Sequence, residues 1–170
     1  MPTVADALSA NRTAVAEFLG AVDQLGGTWI TPRAPGKWTP AQVTEHVARA
    51  YDESAKLFAG QAALFPTFPW LLRPVVRGLL FNRVVRTGRF PKAKTNRPMN
   101  PVTGPPTPAE GRARLERALA TFEQQAKVTG AAGDARVRSA TFGEVRLTDW
   151  VRFQECHARH HQAQLRPRAG

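Results

Sequence analysis

The histidines carry the clearest chemical signal in this sequence. Three of the four, His157, His160 and His161, lie within five residues of one another near the end of the chain. On an α-helix, positions 157 and 161 are one turn apart and separated by only about 40° of rotation, so both imidazoles can contact one metal ion. His160 lies about 60° from His157 on the other side, which predicts a flanking position. Such pairs also occur on plain helix surfaces. A metal site needs a further ligand from elsewhere in the chain.

The remaining histidine, His46, is the candidate for that further ligand. It shares a helical stripe with the apolar residues Val43, Ala50 and Leu57, which predicts that its ring points into the core. A buried imidazole needs a hydrogen-bond partner or a metal ion, because an unsatisfied polar ring is costly to bury. Taken alone, His46 fits a histidine bonded within the core. Together with the pair on the last helix, it favours a metal site of three neutral imidazoles, which leaves a coordination position open for water or a thiol.

Other polar side chains near these histidines offer alternatives. Glu53 lies two turns after His46 on the same helix face, and Glu45 is adjacent to His46 in sequence. Either carboxylate can orient a ligand or act as a general base, and Glu53 is the candidate catalytic residue. A solvated helix carboxylate is the simpler interpretation of Glu53. Cys156 and His160 form a second pair at helical spacing that zinc could use, although a buried cysteine is more often an apolar filler.

Apolar residues at spacings of three, four and seven predict the helices that position these side chains. Thr39 and Thr107 are each followed by proline and then by glutamine or glutamate, a combination typical of a helix start. Thr148 is the expected cap of the last helix. Strand-like alternation is nearly absent, which predicts an all-α fold with four principal helices. They are expected at 3–25, from Thr39 to about Gly60, from Thr107 to Gly130, and from Thr148 onward.

A long connection, residues 61–107, separates the second principal helix from the third. Its first part is apolar and rich in arginine, with Pro74 and Gly88 as punctuation, and is expected to form one broken helix. Its second part is too rich in proline for regular structure and is expected to be an extended crossover or lid. The last residues, 166–170, are expected to form a short disordered tail.

Two motifs give the chain a resemblance to a known family. One is a Trp-Thr-Pro helix start followed by a histidine, Trp38 to Pro40 with His46, and the other is a late His-x-x-x-His-x-x-Gln-aliphatic helix, His157 to Leu165. With the middle piece GRFPKAKTNRPMNP, they resemble the DinB/YfiT-like superfamily of metal-binding proteins over most of the chain. The resemblance implies a four-helix bundle with long crossover connections that holds one divalent ion, zinc, nickel, iron or manganese, on His46, His157 and His161.

The resemblance also implies a class of activity. The superfamily contains transferases and an isomerase that use the thiols mycothiol, bacillithiol or glutathione, and many members without a known activity. We therefore expect a metal-dependent S-transferase or hydrolase that acts on a small molecule, in a protein that can form a homodimer. Many relatives place a His-Pro pair before the last helix, where this chain has residues 140–143, Ala-Thr-Phe-Gly. No role is transferred to that loop.

Positive charge is concentrated in the middle of the chain. The formal net charge is +11, and no acidic residue lies between Glu53 and Glu110. Such a run is often only a solvated basic face. As a functional feature, it can attract an anionic cosubstrate, with Arg73, Arg77, Arg83 and Arg86 as the candidate binding residues. Alternatively, the basic apolar segment 65–97 binds an anionic membrane surface or nucleic acid without catalysis, although no motif for specific nucleic-acid recognition is present.

Length and composition are those of one compact domain, residues 1–170. Hydrophobic residues make up 42% of the chain, enough for one ordinary core. The single cysteine, Cys156, excludes a disulfide within the chain. Neither a secretory signal nor the ~20 apolar residues of a membrane span are visible. We therefore expect a cytoplasmic protein without a transmembrane segment.

Overall fold

The computed structural model describes residues 3–91, 95–131, 133 and 135–165, so the predicted tail, 166–170, lies outside the described residues. Most of the described chain is helical, with one short two-stranded sheet. A π-helical turn, Arg77–Phe81, joins the third helix to the fourth. The elements are α1 Val4–Asp23, α2 Pro40–Phe58, α3 Arg73–Val76, α4 Asn82–Thr87, α5 Pro108–Gly130, β1 Arg136–Ser139, β2 Gly143–Arg146 and α6 Leu147–Leu165.

The four long helices form a closed ring. Helix α1 packs chiefly against α6, α2 packs chiefly against α5, and contacts of α2 with α6 and of α1 with α5 complete the arrangement. Helices α2 and α6 run antiparallel, because Trp150 bonds to Ser54 whereas His157, further along α6, lies beside the earlier His46. The predicted all-α fold is confirmed. In the described ranges, no helix combines the length and hydropathy required to cross a bilayer.

Aromatic rings and one polar network fill the bundle. Tyr51 and Phe58 of α2 pack against Phe122 of α5, with ring centroids 5.0 and 5.2 Å apart. The Tyr51 hydroxyl donates to Asn11 Oδ1 at 2.9 Å, and the Asn11 amide donates to the Val151 carbonyl at 2.7 Å. These bonds tie α1, α2 and α6 together and satisfy polar groups that would be costly to bury unpaired.

Threonine caps fix the starts of two long helices as predicted. Thr39 Oγ1 accepts from the Gln42 amide at 3.2 Å, and Gln42 Oε1 accepts from the Thr39 amide at 3.0 Å, which completes a capping box. Thr107 Oγ1 accepts from the amide of the third residue of α5 at 3.2 Å. The cap predicted at Thr148 is wrong, because α6 begins at Leu147, directly after β2.

The lead-in to α6 contains a β-hairpin that the sequence did not predict. Strands β1 and β2 pair antiparallel over four residues each, which are too few alternating positions to stand out in a sequence. The tip of the hairpin holds the crossover: the Phe68 amide donates to the Ala140 carbonyl at 3.1 Å, and Thr141 Oγ1 donates to the Pro66 carbonyl at 2.5 Å. The loop of residues 140–143, to which no role was transferred, therefore fixes the crossover in place.

The connection between α2 and α5 contains the expected broken helix. Gly88 ends α4 with φ 68°, the left-handed conformation that glycine adopts at no steric cost. Pro74 does not break the helix as expected, because it lies in the first turn of α3, where its missing amide proton is not needed. The irregularity is instead the π-helical turn that follows. In the described part of the proline-rich segment, the regular structure is one 3₁₀ turn, Arg97–Met99.

Candidate metal centre

Three imidazoles converge where α2 faces the C-terminal half of α6. Nε2 of His157 lies 3.2 Å from Nε2 of His46 and 3.0 Å from Nε2 of His161. One ring nitrogen of each residue lies within 4.8 Å of the other two, so the group can hold a metal ion. His46 and His161 are buried, and His157 is partly buried. The structure thus brings together the three residues that the sequence proposed as ligands.

Hydrogen bonds at Nδ1 of two of the rings leave the lone pair of each ring on Nε2, which faces the other histidines. Nδ1 of His46 donates to the Met99 carbonyl at 2.9 Å, and Nδ1 of His161 donates to Gln164 Oε1 at 3.0 Å. A neutral ring that donates through Nδ1 has its lone pair on Nε2. His157 can donate an Nε2 proton to only one of these neighbours, so without a cation the Nε2 lone pair of the other neighbour has no partner. A divalent transition-metal ion is the partner that such a nitrogen donor set fits.

Burial keeps the three imidazoles neutral. Removal from water lowers the pKa of His157 and of His161 well below 6.5, and neighbouring imidazoles lower both further. Burial also lowers the pKa of His46, in part opposed by its bond to the Met99 carbonyl. Neutral imidazole is the form that ligates metal, so the site is ready for an ion at neutral pH.

The metal-free protein is expected to lose stability as the pH falls below about 6.5, the ordinary pKa of histidine. Below that pH the unfolded chain binds protons that His157 and His161 do not bind in the folded protein, so the free energy of unfolding decreases. Urea unfolding with a chelator at about pH 7.5 and about pH 5.5 measures the decrease. The His157→Gln/His161→Gln variant should show a smaller decrease; an equal one would contradict the assignment.

A cavity of about 740 Å³ opens beside the three histidines. Its lining is mostly apolar, which suits a small organic molecule. Trp38 packs against the core and also covers His46, with ring centroids 4.8 Å apart. Phe90, at the end of the broken helix, packs against His157 at 5.6 Å. These rings cover the three histidines and form the walls of the cavity closest to them.

The charged residues that line the cavity differ from those expected. Arg33 and Lys37 line it, and no carboxylate does so among the described residues. Arg73 and Arg77 donate to backbone carbonyls at 2.9 and 2.8 Å, which fixes their positions in the crossover. All four arginines that were expected to bind a cosubstrate lie outside the cavity lining: Arg73, Arg77, Arg83 and Arg86. Among the described residues, the two charged side chains of the lining are therefore both basic.

Gln154 is a buried polar residue with an unused acceptor. It precedes His157 by one helical turn, is 1% exposed and lines the cavity. Its Oε1 has no hydrogen-bond partner in the described part of the chain. An acceptor left unpaired in the interior costs about 1–3 kcal/mol, which a donor group on a bound molecule would recover. Gln154 therefore leaves one buried acceptor beside the cavity without a partner among the described residues.

Neither of the carboxylates proposed as a general base lies in the histidine cavity. Both oxygens of Glu53 are occupied, because one accepts from Lys56 Nζ at 2.6 Å and the other from the Leu64 amide at 2.7 Å. This buried carboxylate holds the start of the crossover on α2. Glu45 points toward α5, where it pairs with Arg114 at 3.1 Å. Both are absent from the cavity lining.

Cys156 does not join the metal group. Its thiol is buried, Sγ lies 3.8 Å from the Val84 carbonyl oxygen, and burial raises its pKa. His160 is partly buried on the cavity wall, where its Nε2 accepts from Gln164 Nε2 at 3.1 Å. It therefore supports the glutamine that orients His161, which extends the flanking role predicted for it. The Cys156 thiol thus contacts α4, whereas His160 contacts Gln164 within α6.

Sequence reasoning missed two contributors to the site. Met99 acts through its backbone carbonyl from the proline-rich crossover, and a carbonyl carries no signal in the residue type. Gln154 could have been found, because it precedes His157 by three residues and so lies on the same face of α6. A glutamine on an otherwise apolar stripe, like the histidine at position 46, indicates a buried polar group that needs a partner.

The geometry defines a class of protein: a bundle of four long helices in which two helices supply three histidines beside a ligand-sized cavity. The chain belongs to the DinB superfamily, whose sequence model matches residues 7–165. The match includes all three clustered histidines and nearly all of the four long helices, and it confirms the resemblance found in the sequence. No match to the chain was found among curated proteins or among solved structures.

Proposed function

We propose that the protein is a divalent-metal-dependent enzyme whose ion is held by His46, His157 and His161. The observation that carries the proposal is the convergence of three Nε2 atoms, two of them fixed as lone-pair donors by bonds on the far side of the ring. A divalent ion bound there supplies Lewis acidity and lowers the pKa of a thiol or water at its open position. Zinc, nickel, iron and manganese are the candidate ions.

The surrounding residues prepare the site for a substrate. Met99 and Gln164 hold the ligand rings in position, which raises metal affinity without direct contact with the ion. Trp38 and Phe90 exclude water from the side of the cavity nearest the ion. Arg33 and Lys37 make the cavity attractive to a carboxylate-bearing molecule such as glutathione or bacillithiol. Gln154 accepts a hydrogen bond from the bound molecule.

The reaction we propose is S-transfer from such a thiol to an electrophile, with hydrolysis as the alternative when water takes the place of the thiol. In S-transfer the thiol loses its proton to solvent water, its sulfur forms the new bond to carbon, and the leaving group departs from that carbon with its electron pair. Support comes from membership of the superfamily, from the three-histidine group, and from a cavity that has room for two small molecules or one larger adduct.

The test begins with the metal content of tag-free protein, measured by mass spectrometry, and continues with turnover. Glutathione, mycothiol and bacillithiol are each offered with an aromatic electrophile, with and without chelator. We expect about one ion per chain and chelator-sensitive turnover with one of the thiols. Gln154→Leu should keep the metal and raise KM, because it removes a contact to the substrate only.

Two results would contradict parts of the proposal. Protein that binds no divalent ion even after reconstitution would exclude the metal-dependent enzyme. Metal-loaded protein that turns over none of the thiols but hydrolyses esters or amides in a chelator-sensitive way would exclude S-transfer and support hydrolysis.

A further inference from the structure

Five large apolar side chains lie exposed side by side on the crossover. They belong to the start of the broken helix and the turn before it, and Trp70 and Leu79 are 72% and 71% exposed. We call this group the apolar ridge; its members are Trp70, Leu71, Leu72, Val75 and Leu79. A cluster of adjacent exposed residues of this size on a small protein marks an interaction surface more often than scattered single residues do.

The ridge is the outer face of an amphipathic segment whose inner face is already used. Val76 and Leu80 line the histidine cavity, and Phe81 and Val84 are buried in the core. The inner face therefore anchors the segment to the bundle, whereas the residues of the outer face are exposed. They remain available to a partner.

Basic residues continue the same outer face. Arg83 and Arg86 follow Leu79 at spacings of four and seven, are exposed, and have no ion-pair partner among the residues that the structure describes. Arg89 is exposed just beyond them. No acidic residue occurs from residue 54 to residue 109. The face that begins apolar thus ends strongly positive.

We propose that the apolar ridge and these arginines dock the protein on an anionic lipid membrane. Apolar side chains, an exposed tryptophan and adjacent arginines are the combination that binds the interface of a bilayer, where the rings enter the acyl boundary and the cations meet the headgroups. Docking places the outer side of a cavity wall against the lipid, because the same helical segment forms both surfaces. The inference does not depend on the identity of the metal or the reaction.

The charge pattern argues against the other occupants of such a face. A second copy of the chain, paired by two-fold symmetry, would present the same patch, whose charged residues are all basic, and so would offer Arg83 and Arg86 no opposite charge. Nucleic acid would satisfy the arginines but would leave the leucines of the ridge without an apolar partner. An anionic bilayer satisfies both parts of the face at once.

The experiment is co-sedimentation of the purified full-length chain with vesicles of phosphatidylcholine alone or mixed with phosphatidylglycerol. We expect binding to the anionic vesicles to exceed binding to neutral vesicles by about tenfold or more, and to fall as salt rises from about 0.1 M to about 1 M. Trp70 is the exposed tryptophan, whereas Trp29, Trp38 and Trp150 are buried or partly buried, so a blue shift of fluorescence should report its insertion.

Paired variants test whether vesicle binding depends on the apolar ridge and its neighbouring arginines or on surface hydrophobicity and net charge in general. Leu72→Ser/Leu79→Ser should lose most vesicle binding, whereas the control Ile30→Ser/Val128→Ser, which changes exposed apolar residues elsewhere, should retain it. Arg83→Gln/Arg86→Gln should weaken binding by about tenfold or more, whereas the exposed arginine control Arg117→Gln/Arg138→Gln should have a smaller effect. Unchanged thermal unfolding of all variants excludes a folding defect.

Four outcomes would overturn the proposal. They are absence of binding to anionic vesicles, equal binding to neutral vesicles, loss of binding in the control variants to the same degree, and a dimer in solution that the Leu72→Ser/Leu79→Ser variant dissociates. Binding to duplex DNA that the arginine variant abolishes but the leucine variant leaves intact, with no vesicle binding, would assign the face to nucleic acid instead. Metal content and turnover measure the proposed enzyme separately.

Discussion

Replacement of any one of His46, His157 and His161 by alanine is expected to abolish stoichiometric metal binding. Each variant removes one of the three nitrogen donors that would hold the ion, and two imidazoles form a much weaker donor set than three. The loss of affinity should exceed the roughly 10- to 100-fold that removal of an outer hydrogen-bond partner causes. Metal content after dialysis, together with titration of the apoprotein by zinc, measures the effect.

Two controls make this result specific. His160→Ala leaves the three ligands in place and is expected to keep the ion, with at most the smaller loss that follows from a less well held Gln164. Gln164→Ala removes the acceptor at Nδ1 of His161 and should weaken the metal by roughly 10- to 100-fold. A full complement of metal in any of the three ligand variants would show that the ion, if bound, lies elsewhere.

Gly104→Ala is expected to cause a large loss of stability from the addition of a single methyl group. A Cβ at this position would lie 2.3 Å from the carbonyl carbon and oxygen of Ala41 and 2.7 Å from the Gln42 amide nitrogen. All three atoms belong to the backbone of the first turn of α2, so a side-chain rotation cannot relieve the clash. Overpacking of this kind costs about 1–3 kcal/mol or more.

Gly104→Ala is expected to weaken metal binding as well as stability. The segment around Gly104 is held on α2 because the Gln42 side-chain amide donates to the Val102 carbonyl at 3.1 Å, and Trp29 Nε1 donates to the Pro105 carbonyl at 2.8 Å. The Met99 carbonyl that orients His46 lies on the same stretch. Urea unfolding and zinc titration of Gly104→Ala are therefore expected to change together.

Gly20→Ala is the matched control. Gly20 lies within α1, and a Cβ there would meet nothing within 4 Å, so alanine should stabilise the helix by up to about 1 kcal/mol. If Gly104→Ala unfolds at the same urea concentration as the wild type, the close packing of the crossover on α2 is not as described.

The sequence alone determined the parts of this protein that depend on local spacing. Apolar periodicity and the threonine caps were sufficient to predict the four long helices, because helix formation follows from residues three to four apart. The same spacing placed His157 and His161 on one face, and the apolar stripe around His46 directed it toward them. The grouping of the three histidines was therefore predictable from two short segments.

The tertiary structure decided what surrounds the three histidines, because that depends on the path of the crossover. Glu53 shares a helix face with His46, yet it accepts a bond from the crossover, because two turns of helix separate it from the histidines and Leu64 brings a backbone amide beside it. The arginines of the crossover were expected at the cavity, but the inner face of their helix is apolar. Arg33 and Lys37 line the cavity instead.

The same distinction explains the elements and contacts that were missed. The hairpin of β1 and β2 is too short to leave a periodic signal, and its strands exist because each supplies the other's hydrogen bonds. The Met99 carbonyl reaches His46 from 53 residues away, and any residue type could supply it. Residue types and their spacing therefore determined which side chains meet within and between helices, whereas the path of the crossover decided which backbone groups and charges surround them.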